Sequence, residues 1–89
     1  MAIMVDTPLR QISITTSDKK SYRFDEYHGF AELTITDRFN DITRFDCVEV
    51  EYQELFPGSR FTWFEIGYDG TLSPHQSAPI VSVNLSSNL

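Results

Sequence analysis

An all-β fold is predicted, an antiparallel meander of about six strands forming a curled sheet or small barrel with little or no helix. Three observations predict it. Apolar and polar residues alternate with a period of two in several short runs, clusters of Gly, Pro, Asn and Asp separate those runs, and no window of ten or more residues shows helical periodicity. The 89 residues make one small domain, whose apolar fraction of 40% and aromatic fraction of 13% suit a folded globule.

The first hairpin comes from Ile12 and Ile14, which alternate with Gln11, Ser13 and Thr15, and from Tyr22 and Phe24, which alternate with Ser21 and Arg23. The polar run Thr16 to Lys20 joins them, setting Ile14 opposite Tyr22 and Ile12 opposite Phe24. Asp25 to Gly29 interrupts the pattern, and Ala31, Leu33 and Ile35 then define a third strand. Asp37 to Asp41 has turn chemistry, since Asn and Asp bond their own backbone and tolerate a positive φ.

A central hairpin follows, with arms Ile42 to Glu54 and Arg60 to Tyr68 joined by Leu55 to Ser59, where Pro57 and Gly58 suit a type II turn. Phe45 and Cys47 can face Ile35 and Leu33, yet Val48, Val50 and Tyr52 follow in the opposite phase. A β-bulge between Cys47 and Val48 would keep both halves on the core side and bend the strand; a strand buried on both faces is the alternative. In the favoured register Val48 meets Ile66 and Val50 meets Phe64, which gives one continuous apolar face. The opposite face then carries Glu49, Glu51 and Glu65 together with Phe61 and Trp63. Asp69-Gly70 marks a tight turn, Pro74 and Pro79 fence an irregular segment from Thr71 to Pro79, and Ile80, Val81, Val83 and Leu85 form a last strand before a frayed Ser86 to Leu89.

The net charge of −6 is unevenly placed. Over residues 1–24 Arg10, Lys19, Lys20 and Arg23 outnumber Asp6 and Asp18, a balance of +2; over residues 25–89 eleven acids stand against Arg38, Arg44 and Arg60, a balance of −8. Such a field repels nucleic acid and steers basic protein surfaces toward the chain. Arg10, Lys19, Lys20, Arg23 and Tyr22 make a basic, aromatic hairpin, but the patch is short and the overall field opposes phosphate, so no direct nucleic-acid contact is expected. No run is long enough to span a bilayer, and Met1 to Asp6 lacks the basic start and long apolar stretch of a signal peptide, so a cytoplasmic address and no membrane partner are expected. With one cysteine no internal disulfide can form, and Asn84-Leu85-Ser86 is read as a chance match to a glycosylation triplet.

Catalytic signatures are missing: there is no phosphate-cradling Gly-rich loop, no paired CxxC, no HExxH and no GxSxG, and neither catalytic residue nor cofactor is assigned. Cys47, flanked by acids, reads as a small core residue rather than the thiol of a dyad with His28 or His75. Asp37, Asn40 and Asp41 offer hard oxygen ligands without the spacing of a calcium loop, so no metal is assigned. A glycosidase-like use of Glu49, Glu51 and Glu65 would need a cleft around them.

What remains is the face of Glu49, Glu51, Phe61, Trp63 and Glu65, an aromatic anchor in an anionic frame that suits an Arg- or Lys-bearing partner; covered by the chain's own core, Trp63 would lose that role. The expected function is a non-enzymatic, acidic protein-binding module, an inhibitor or immunity-like protein that masks a basic, nucleic-acid-handling partner. The rival is a structural subunit of a homo-oligomer.

Overall fold

The computed structural model describes residues 7–87 and is all-β, with seven strands: β1 (Arg10–Thr16), β2 (Ser21–Glu26), β3 (Ala31–Thr36), β4 (Ile42–Asp46), β5 (Val48–Val50), β6 (Arg60–Ile66) and β7 (Leu72–Ser87). All pairings are antiparallel, and the strands run in the order β4-β3-β2-β1-β7-β6-β5 across a sheet curled into a half-barrel. Met1 to Asp6 and the last two residues of the expected frayed tail lie outside the described residues, while Ser86 and Ser87 belong to β7 and pair with Gln11 and Arg10.

The meander from β1 to β3 forms as its alternation dictates. Ile12 faces Phe24 and Ile14 faces Tyr22 across β1 and β2, and the next pairing sets Leu33 beside Phe24 and Ile35 beside Tyr22. These inward side chains make one wall of the core, each burial of this size contributing about 1.5–3 kcal/mol. Lys19, at φ 63°, closes the first hairpin with its amide bonded to the Thr16 carbonyl. The Asp37 to Asp41 turn forms as its chemistry suggests: the Asp37 carboxylate accepts the Phe39 and Asp41 amides, and Asn40 takes φ 66°.

The phase slip after Cys47 is real, but its form is more drastic than a bulge. Asp46 ends β4 on one edge of the sheet and Val48 starts β5 on the other, so Cys47 alone links the two edges, in a left-handed conformation with φ 57°. Phe45 pairs with Leu33 rather than Ile35, and Cys47 is exposed; the expectation of a core cysteine fails because the residue that turns the chain cannot also point into the core.

The expected register of the central hairpin is also corrected. Val48 pairs with Glu65, Glu49 with Phe64 and Val50 with Trp63, one residue away from the favoured arrangement. The strand ends at Val50, so nine residues rather than five separate β5 from β6, and the Phe56 to Ser59 turn docks on β7: the Gly58 amide donates to the Ile80 carbonyl (2.9 Å) and the Ile80 amide to that of Ser59 (2.7 Å). A turn held by a third strand leaves the hairpin register free, and side-chain burial decides it. Phe61 (0% exposed) and Trp63 (4%) bring more apolar area into the core than Phe64 and Ile66 would.

Of the segment Thr71 to Pro79, expected as irregular, all but Thr71 forms the first half of β7 and lies along β6. Its irregularity is a register shift between Arg60 and Thr62, where Ser77 takes over a ladder bond: its buried Oγ accepts the Phe61 amide at 2.9 Å and donates to the Ala78 carbonyl at 2.7 Å. Beyond this shift β7 changes partner from β6 to β1.

Candidate functional site

The one-residue correction in register takes apart the face expected from the sequence. Phe61 and Trp63 point inward with Val48 and Val50, Glu65 shares their side of the strand with its side chain 43% exposed, and Glu49 and Glu51 lie on the other side. Trp63 is core. Its ring lies 4.7 Å from Phe45 of β4 and stacks on His75 of β7 at 4.2 Å, so it bridges strands from both ends of the sheet. Phe61 packs edge-on against Tyr22 at 5.5 Å. The five residues therefore do not form one surface.

What joins Glu49 and Glu51 on the outside is the other parity of β6. Cross-strand rows run Cys47, Ile66, Leu72; Glu49, Phe64, Pro74; and Glu51, Thr62, Gln76. An aromatic residue framed by acids survives on this face, but the residue is Phe64, with Ile66 and Leu72 (46% exposed) beside it. The signal that could have found them is the size of Trp63: placing it inward forces Phe64 and Ile66 out.

The acids of the Asp46 to Glu54 stretch are unpaired among the described residues. Asp46, Glu49, Glu51 and Glu54 are all exposed, and among the described residues none of their carboxylates has a hydrogen bond or an ion pair. Arg44 shares the face of β4 with Asp46 and is exposed, while three other cations are engaged elsewhere. Arg23 Nε donates to the buried Asp25 at 3.2 Å, Lys20 Nζ lies 4.0 Å from Asp18, and Arg10 donates from Nε and Nη2 to Glu26 at 3.0 and 3.1 Å. Tyr22, the aromatic member of the basic hairpin, is buried. These side chains do not assemble into a patch.

Arg10, Glu26 and Tyr52 form a latch between the meander and the segment after β5. The Tyr52 hydroxyl donates to Glu26 at 3.1 Å, and the Arg10 guanidinium lies 4.3 Å from the Tyr52 ring centre, a cation–π contact. The hydrogen bonds from Arg10, aided by that from Tyr52, hold the Glu26 carboxyl below its usual range. Burial, and then the neighbouring Glu26, push the Tyr52 phenol up to about 12.

Of the acid–base candidates, His75 lies in β7 rather than a loop, with Nε2 2.7 Å from Glu65 Oε1 at an angle that makes no hydrogen bond. Neither histidine bonds Cys47 among the described residues. Asp37 spends its carboxylate on the turn, and no three His, Cys, Asp or Glu side chains converge among the described residues. No helix among them is long and apolar enough to cross a membrane. Compared with known proteins, the chain matches no family model, no curated protein and no solved structure at a significant level.

Proposed function

We propose that the chain is a non-enzymatic, acidic protein-binding module that masks a basic surface on a partner, in the manner of an inhibitor of a nucleic-acid-handling protein. The observation that carries this reading is the stretch from Asp46 to Glu54 with four exposed, unpaired carboxylates, of which Glu49 and Glu51 share a face with the outward Phe64, Ile66 and Leu72. Like charges this close raise the energy of the free protein, and a cationic partner removes that cost on docking. The apolar residues supply a central contact that the partner can dry. The choice of a nucleic-acid-handling partner follows from charge alone, because surfaces evolved to hold phosphate are basic.

The test is affinity purification from the native host followed by titration of the purified partner. Binding should weaken steeply as salt rises, and the double variant Glu49→Lys, Glu51→Lys should bind about tenfold or more weakly. Binding indifferent to both would overturn the reading. Self-association, the rival, is favoured by Phe39 (70% exposed) and Ile42 (65%) beside the free edge of β4. It predicts mass rising with concentration in light scattering and no stoichiometric partner.

A further inference from the structure

The half-barrel has an open side, and it runs along β5. Three cavities follow one another there: about 390 Å³ at Gly67 and Tyr68, about 420 Å³ between Phe30 and Ile66, and about 270 Å³ between Phe24 and Tyr52. Cys47 and Ile66 belong to the first two, Ala31, Val48 and Glu49 to the last two, so the three make a continuous seam. Gly67 and Tyr68 lie at one end of it, and Tyr52 of the Arg10–Glu26–Tyr52 latch at the other.

The backbone along this seam is unfinished. The Cys47 carbonyl accepts the Ile66 amide at 3.0 Å, and the Glu51 amide donates to the Thr62 carbonyl at 3.1 Å, so the odd residues of this stretch bond to β6. An antiparallel ladder alternates, which turns the N–H and C=O groups of Val48 and Val50 toward the opposite edge. Among the described residues β5 is the last strand on that side, so none of the described strands meets them.

We propose that the seam accepts an extended segment of a partner protein, with alternating apolar and basic side chains, added as a strand along β5. This rests on the binding-module reading above and gives it a docking mode. Residues of the added strand that face the core would lie beside Val48 and Val50, over Ala31 and Phe24; the alternate residues would lie beside outward Glu49, with Asp46 and Glu51 flanking it. The first set of contacts requires apolar side chains. The second set places acids without cations, which requires Lys or Arg. A second copy of the chain does not supply this chemistry, since it brings a net charge of −6 to an acidic rim.

The test is a titration with an acetylated, amidated Lys-Val-Lys-Val-Lys peptide, read by amide hydrogen exchange. Exchange at Val48 and Val50 should slow about tenfold or more at saturation, and a Glu-Val-Glu-Val-Glu peptide should leave it unchanged. Val50→Pro removes an N–H from the free edge and none from the β6 ladder; with Trp63 fluorescence unaltered, the peptide should bind about tenfold more weakly. Should that variant misfold, N-methylation of the peptide's central amides removes the same class of bond from the ligand side, with the same loss expected. Unchanged exchange at both valines, or full affinity of the N-methylated peptide, overturns the proposal. If that happens while the native partner still binds through Glu49 and Glu51 in a salt-sensitive way, the seam is wrong and the module reading stands.

Discussion

The β1–β2–β3 meander keeps one register through both of its pairings, and Ile12, Ile14, Tyr22, Phe24 and Leu33 are buried on its inner face. The arm formed by β5, β6 and β7 reaches the same core differently: β5 holds three pairs, the β6–β7 ladder shifts register, and a serine side chain stands in for a carbonyl. The meander pairs Arg10 with Glu26 and Arg23 with Asp25, while the stretch from Asp46 to Glu54 leaves four carboxylates bare. Regular pairing thus falls where the protein needs only to hold together, and incomplete pairing falls beside the surface proposed to bind.

The largest test of that contrast is in the core the two regions share. Phe61→Ala in the arm and Leu33→Ala in the meander both empty a site with no exposure, and each should cost about 2–5 kcal/mol in urea denaturation. Comparable losses would show one cooperative unit, whereas a small loss for Phe61→Ala would show that the arm packs as an independent and weaker layer.

A smaller effect separates the two kinds of pairing. Ser77→Ala strands the buried Phe61 amide and should cost about 1–3 kcal/mol, while Ser13→Ala, at an exposed position of the regular β1 ladder, should change stability by less than about 0.5 kcal/mol. Equal values would mean that the shift in β7 is not held by its serine.

The smallest effect concerns the latch that ties the regions together, and it is read by pH. The Tyr52 phenol is raised in the folded state, so its contribution is complete below about 10 and is lost as pH rises toward about 12. The Glu26 carboxyl is lowered, so its contribution is present above the usual carboxylate range and is lost as pH falls through its folded value. Tyr52→Phe should remove the alkaline part of this dependence, which parallel thermal melts of the two proteins would detect.

The same contrast explains what could be read from the chain. The first hairpin was legible to the exact pairs, because a short loop between Thr16 and Lys20 leaves only one parity that puts Ile12, Ile14, Tyr22 and Phe24 together. The all-β class, the turns at Asp37 to Asp41 and Asp69-Gly70, and the slip after Cys47 followed from equally local chemistry. The β5–β6 register did not. Both faces of Arg60 to Ile66 are apolar enough to serve as core, and what chooses between them is long-range: Phe45 and His75 closing on Trp63, and the Phe56 to Ser59 turn anchored to Ile80. The acids of the candidate site were therefore visible as Glu49 and Glu51, but their apolar neighbours were assigned to the wrong side of one strand.

Cys47 gives the seam its mechanics. A single residue joins the two edges of the sheet in a left-handed conformation, and the gap beyond it is held by the Phe45–Trp63 ring contact and by the Tyr52 hydrogen bond to Glu26. Opening the gap at its Tyr52 end therefore costs one hydrogen bond and one cation–π contact, whereas opening it at Trp63 costs part of the shared core.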